Sequence, residues 1–462
     1  MIPAQDVVES ALTAASAAAG LSGAIVICEE SSEAEVRFAL NTTTTNGVRR
    51  NRSVTLIVID DRGAVGVARR SGIFDLDEVV AAARADAAGS TPAEDAAPLL
   101  APADIAPATT PFDITPALTD LSALDTVLSG LAPAFAAARS HHANLAGFAE
   151  HGLSTLYLGT STGIRLAHIQ PTSAVQLCAL STDGANTAWV GSAVIDDDFG
   201  RLTDEVWRRL DWGSRRRALD AGRYEVLLPP SAMADLMASL AFYSLGGQDA
   251  EDGRTVFSAP GGATRLGQAI TPVPLTLSSD PAHPGLECTP FNVVSSSTSE
   301  SSVFDNGLPL GRTDWISAGR LDHLRYHRAG AGRSHVSPTP YVDNLILAAT
   351  SSPAGSLDDM VSRTERGLLL TCLWYIREVD PITLLMTGLT RDGVYLVENG
   401  KVTGSVNNFR FNESPVDLLA RATEVGDSVR TLGREFGEYL NRTVMPPMRI
   451  PDFNMSSVSQ AS

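Results

Sequence analysis

Residues 224–244, YEVLLPPSAMADLMASLAFYS, decide how this chain is read. A short apolar run, Tyr224 to Leu228, stops at Pro229–Pro230, and Ser231 then opens an apolar segment of helical character with almost no charge. The stretch predicts a buried strand feeding a buried helix, a common place to mount catalytic side chains. Yet from Ser231 to Tyr243 there is no His, no Glu, no Cys and only one acid, Asp235. The mount is built and nothing catalytic stands on it.

Around that stretch lie 462 residues, enough for more than one core, with two or three sub-domains as the prior. At 44% hydrophobic and 19% charged the chain suits a soluble globular protein. Thirty-five basic against 53 acidic side chains leave a net charge of −18, which repels phosphate backbones and argues against nucleic acid as a partner. Cysteines stand at 28, 178, 288 and 372, far apart and in apolar contexts, with no CxxC pair. That pattern predicts buried reduced thiols and a cytoplasmic location rather than a zinc knuckle or a redox site. The first twenty residues lack the basic start and continuous apolar core of a signal peptide. No run of about 18 apolar residues is evident, so no membrane span is expected.

The expected fold class is α+β. Residues 4–19 and 75–88 read as helices flanking four strand-like runs, GAIVICEE, EVRFALNT, SVTLIVID and AVGVARRSG, with polar turns between them, including NTTTTNGVRRNR. The plan recurs after an Ala/Pro-rich connector: a helix over 117–140, runs at LSTLYLGT, GIRLAHIQ, AVQLCALS and TAWVGSAV with a turn at Pro171–Ser173, and a helix over 199–219. Short connections favour antiparallel meanders. Residues 1–220 are therefore expected to form an N-terminal α+β domain of two helix–meander–helix units, 1–90 and 113–220, joined by the connector 91–112 and resembling an internal duplication. Residues 221–462 are expected to form a β-rich C-terminal domain, loop-rich over 295–340, with a hairpin at Asn399–Gly400 and a final helix over 416–432.

The candidate chemistry divides quickly. His323 and His327 stand at i, i+4, the spacing of a shared metal on a helix, but Leu324 occupies the place of the water-activating Glu and glycines surround the pair. His141 and His142 point to different helix faces. APGGATRLG (259–267) lacks the terminal Gly-Lys-Ser/Thr of a phosphate loop, and GTSTG (159–163) falls at a turn of the meander rather than at the strand-to-helix turn a nucleophile elbow needs. Asp196–Asp198 is read as helix capping rather than as a cation site. In SVNNFRFNESP (405–415) Val406, Asn408 and Arg410 share one strand face, with Phe409 and Phe411 on the other. That strand either points Phe inward and Arg outward for purely structural reasons or lines a peptide cleft.

Taken together, FALNTTTTNGVRRNRSVTLIVI, YEVLLPPSAMADLM, RGLLLTCLWY and DPITLLMTGLTRDGVYLVENGKVTGSVNNFRFNESP resemble the TldD/TldE (PmbA) family of cytoplasmic bacterial metalloproteases, most specifically over residues 367–415. In that family a TldD-type subunit carries HExxxH on the helix after a short strand. In this chain Ala238 and Ser239 stand where His and Glu would be, and Tyr243 where the second His would be. Ala offers no ligand, and a serine hydroxyl or a phenol of pKa ~10 is a poor zinc donor at neutral pH. The resemblance is thus to the TldE (PmbA) type that lacks the motif. It implies a chain with no metal and no catalytic residues of its own, paired with a TldD-type subunit that holds zinc or a similar divalent metal. Together the two would enclose a cavity for an extended, unfolded peptide. Asn408, Arg410 and Arg377 are the expected peptide-facing positions, by side-chain character alone. Two alternatives remain open: a stand-alone divergent hydrolase built on His323 and His327, and a homodimeric peptide-binding or regulatory protein without proteolysis.

Overall fold

Two polar stretches interrupt the apolar alternation between Leu21 and Asp60, and the backbone runs straight through both as strand. In the computed structural model, which describes residues 2–105, 110–195, 199–350 and 353–459, helix α1 (Ala4–Ala17) leads into β1 (Leu21–Ala39), β2 (Thr42–Asp60), β3 (Val65–Ser71) and α2 (Leu76–Gly89). The four expected runs are thus three strands. SSEA lies inside β1 and most of NTTTTNGVRRNR inside β2, and the turn falls at Leu40–Asn41, both at positive φ as a two-residue hairpin requires. Thr and Val favour extended backbone, and cross-strand pairs such as Glu33 with Arg49 (2.8 Å) hold the polar half of the ladder. The second unit repeats the correction. After α3 (Asp125–Ser140) come β4 (Ala143–Thr160), β5 (Arg165–Ser181), β6 (Thr187–Ser192) and α4 (Phe199–Trp212), so Pro171–Ser173 is strand and the last helix ends at Trp212, not 219. Asp196–Asp198 lies outside the described residues.

The two units merge into one antiparallel sheet, in the order β3-β2-β1-β4-β5-β6, with β1 paired to β4 at its centre. Ala24, Val26 and Cys28 share parity with Ala34, Val36 and Phe38. The first set packs under α1 and α2 and the second under α3 and α4, so all four helices cover one face. Contrary to the expectation that no such segment is present, Leu121–Ser140 is long and apolar enough, by length and composition, to cross a membrane. Val127, Leu131, Ala134 and Ala138 on it are buried in the core shared with the sheet and α4. The sheet's other face presents Ile25, Ile27, Ile57, Ile59, Leu158 and Leu166 to Phe291, Val303 and Phe304 of the second half.

That second half contains two larger sheets. After β7 (Arg216–Arg217), β8 (Gly222–Leu228) lies deep inside a mixed ten-stranded sheet, parallel to Arg366–Leu370 and antiparallel to Met448–Val458. A six-stranded sheet is built around Leu275–Ser279, Leu345–Ala349 and Thr443–Met445. Helix α5 (Pro230–Ser244) touches strands of both sheets and forms the centre of the largest core. The Asn399–Gly400 hairpin forms as expected, both residues at positive φ. The helix expected over 416–432 stops at Arg421, because Glu424–Val425 and Val429–Thr431 are drawn into sheet pairing.

Candidate functional site

Helix α5 begins where β8 ends, with Pro229 as N-cap and Pro230 in the first turn, where a missing N–H is no loss. Its sequence is apolar nearly all round, as a helix enclosed between two sheets must be. Ala238 is 1% exposed and Ser239 0%, and the Ser239 hydroxyl donates to the Asp235 carbonyl one turn back at 2.9 Å. Tyr243, a turn further on, is 37% exposed. The three positions therefore offer a methyl group, a committed hydroxyl and a phenol, which do not fit a divalent cation. Among the described residues no cluster of three or more His, Cys, Asp or Glu side chains could hold a metal ion.

The acid that the sequence shows alone on this helix has a structural task. Asp235 is fully buried, and its carboxylate accepts the backbone N–H groups of Arg434 (2.9 Å), Glu435 (3.0 Å) and Phe436 (3.0 Å). Burial pushes its pKa up to about 7, against the pull of the three N–H donors. The loop following Leu432 is thereby strapped across α5. Gly433 is required there, since a Cβ would sit 2.4 Å from Asp235 Oδ1, and Phe436 packs edge-on against Phe242 of the helix at 5.8 Å.

The strapped loop forms one wall of a cleft of about 670 Å³. Tyr243 and Phe242 of α5 meet Arg434, Phe436 and Tyr439 of the loop, while Trp374, Tyr375 and Arg377 come from strand Leu373–Asp380. Phe148 of β4 and Gln176 of β5 close it from the N-terminal sheet. Arg377 donates to Glu435 at 2.7 Å and lies over the Tyr375 ring, and Glu435 also accepts the Tyr375 N–H at 2.9 Å. The charge of Arg377 is thus balanced inside the protein.

Of the residues singled out in the sequence, Tyr243 and Arg377 meet in this cleft. Asn408 and Arg410 do not line it. Asn408 precedes the strand Phe409–Glu413, and Arg410 points outward from it, Nη1 lying 3.3 Å from Thr387 Oγ1, while Phe409 and Phe411 are fully buried. Val406 belongs to the preceding strand, so the five alternating residues do not share one strand. His323 and His327 share no helical turn. His323 Nδ1 lies 3.0 Å from the Asp314 carbonyl oxygen, and His327 caps the helix Arg328–Ser334 by accepting the Gly330 N–H. His141 stacks on Trp207. Cys28, Cys288 and Cys372 are buried free thiols, and burial pushes Cys28 up to about 12. The residues that make the cleft aromatic, among them Trp374, Phe436 and Tyr439, went unnoticed in the sequence. Phe436 and Tyr439 lie in GREFGEYL, some sixty residues after Trp374, and the strap from Asp235 to that loop brings the two segments to one cleft.

A helix-covered antiparallel sheet, joined to a β-rich half built around one buried helix with an aromatic cleft beside it, defines an α+β protein of two halves. Residues 221–457 match the family described as PmbA/TldA metallopeptidase C-terminal domain, and the chain belongs to the PmbA/TldD family. Among solved structures it is similar to TldE from Thermococcus kodakarensis (16% identity, TM-score 0.75, covering 97% of this chain and 99% of that one). It is similar also to a putative modulator of DNA gyrase from Bacteroides thetaiotaomicron (16%, TM-score 0.76, 98% and 99%) and to another from Thermotoga maritima (16%, TM-score 0.71, 97% and 99%). At that identity the likeness establishes a shared fold over nearly the whole chain. No curated protein is significantly similar.

Proposed function

We propose that this chain is the non-catalytic, TldE-type subunit of a two-component metallopeptidase, supplying a wall of the peptide cavity while a TldD-type partner supplies the metal and the catalytic Glu. The observation that carries this reading is the filling of α5: Ala238 and Ser239 are enclosed core residues, so these two motif positions have neither a free donor nor space for an ion and its water. The aromatic cleft beside Tyr243 supports the other half of the reading, because apolar and aromatic walls with a few charged groups are how proteins hold extended peptides. An unfolded segment fits such a cleft and a folded domain does not, which makes flexible peptides the substrate class. The buried free thiols suit a reducing cytoplasm.

The test is reconstitution. The purified chain alone is expected to bind no stoichiometric zinc and to cleave no unstructured peptide. Adding a TldD-type subunit carrying HExxxH should bring peptidase activity that saturates at a fixed ratio of the two chains. A partner that is equally active without this chain, or a chain that carries zinc and cleaves peptide unaided, would refute the proposal.

A further inference from the structure

We infer that Arg434 is a carboxylate receptor within the cleft, and that the ligand it selects is a peptide presenting its free C-terminal carboxylate. The inference rests on the peptide reading above and adds to it which end of the peptide is held and by what.

Arg377 and Arg434, the two cleft arginines, are in opposite states. Arg377 is neutralised by Glu435. Arg434 makes no ion pair among the described residues. Its Nη1 donates to the neutral Gln176 Oε1 at 3.0 Å, and the same oxygen accepts from Trp189 Nε1 at 3.2 Å. The guanidinium carbon lies 4.6 Å from the centre of the Trp374 ring and 5.5 Å from that of Trp189. Two indoles and a fixed amide therefore hold the group flat and in one orientation. Nε is enclosed with no partner, whereas Nη2, also without a protein partner, is not enclosed, so it is the edge that meets the cleft.

A half-buried guanidinium with one neutral acceptor leaves donors unsatisfied, and such groups call for an acceptor from outside. A carboxylate is the fitting acceptor, since Nη2 can give it a charge-assisted hydrogen bond and stacking on tryptophan leaves the guanidinium charge in place. The position is also held independently of any ligand. The Arg434 N–H is bound by Asp235, and Gly433 beside it admits no side chain. A terminal carboxylate rather than an acidic side chain fits the remainder of the cleft. Phe148, Phe242, Phe436 and Tyr439 would take the apolar side chain of the last residue, whereas an acidic side chain that reached Arg434 would bring no apolar group of its own to those rings. Glu438 at the exposed rim opposes an anion there, so its removal should tighten binding.

The experiment titrates the full chain with a hexapeptide ending in Phe, as free acid and as C-terminal amide, following the fluorescence of Trp374 and Trp189 and, in parallel, heat of binding. A third peptide carries the amide and an internal Glu. The free acid is expected to bind at least about tenfold more tightly than either amide, the scale of one charge-assisted hydrogen bond. Arg434→Gln should erase that preference, so that the free acid binds no more tightly than its own amide. Arg434→Lys, which keeps charge but loses the plane stacked on the two tryptophans, should restore only part of it, and Glu438→Gln should strengthen acid binding alone. Equal binding of acid and amide, a preference that survives Arg434→Gln, or tighter binding of the internal Glu peptide would overturn the carboxylate inference and leave the peptide cleft standing. No binding of any peptide would sink both.

Discussion

Asp235 shows how the one acid on a buried helix can serve packing rather than chemistry. It is the single acid on α5, and its three backbone acceptor contacts fix the loop that shapes the cleft. Asp235→Asn keeps Oδ1 for Glu435 and Phe436 but turns an amide donor toward the Arg434 N–H. The expected loss is about 1–3 kcal/mol in urea denaturation at pH 4–5. The pH dependence has a definite sign. Burial raises this carboxyl from 3.8 to about 7, so between those values the folded chain holds a proton that the unfolded chain has released. Its contribution to stability is complete below pH 3.8 and is lost as pH rises through 7, at up to roughly 1.4 kcal/mol per pH unit. Wild type minus Asp235→Asn should therefore shrink across pH 4–7; a difference independent of pH would show that Asp235 does not titrate there. None of this is visible in the sequence, where Asp235 is one polar letter in an apolar run. Its partners lie about two hundred residues away, and no local pattern connects them.

Helix α5 is the element on which sequence and structure agree most closely. An apolar strand, a proline pair and an all-round apolar segment leave little choice but a buried strand–helix unit, and the unit sits between both C-terminal sheets. The hairpin at Asn399–Gly400 was equally legible, since positive φ at two successive residues selects that dipeptide. The long arms of β1, β2, β4 and β5 were not. β2 is exposed over residues 42–51, and the middles of β1 (29–31), β4 (150–154) and β5 (168–173) are half-exposed or exposed, so period-2 patterning breaks there and polar strand resembles loop. Enclosure of α5 has a testable consequence. If its motif positions were merely mutated ligands in an open site, restoring them would restore a metal. Because Ala238 and Ser239 are sealed, Ala238→His should overpack the core and cost about 1–3 kcal/mol, read as a lowered unfolding temperature. The triple variant Ala238→His, Ser239→Glu, Tyr243→His is expected to take up no stoichiometric zinc by elemental analysis. A folded triple variant carrying one zinc per chain would show that the helix has only lost its donors and kept its site.

At the scale of the whole molecule the cleft belongs to neither half alone. Phe148 and Gln176 come from the N-terminal sheet and the remaining walls from the C-terminal half, so the site exists only while the halves stay docked. Docking rests on the isoleucine-rich sheet face against Phe291, Val303 and Phe304, helped by Arg442 donating to the Pro171 carbonyl at 2.9 Å and Gln170 donating to that of Glu287 at 3.1 Å. Phe304 is 3% exposed within that patch, and truncating a buried Phe to Ala costs about 3–5 kcal/mol. Almost all of that cost falls on the contact between the halves, because each retains its own separate core, one around α5 and two beneath the four sheet-covering helices. Phe304→Ala should therefore uncouple the halves before it unfolds either. Calorimetry is expected to resolve one transition into two, and peptide affinity should fall together with the lower one, since Arg434 then loses the Gln176 that holds it in place. A single transition shifted downward as a unit, with peptide binding intact up to its onset, would mean that the polar contacts suffice to keep the sheet in place. The cleft would then be a property of the C-terminal half with the N-terminal sheet as a passive lid.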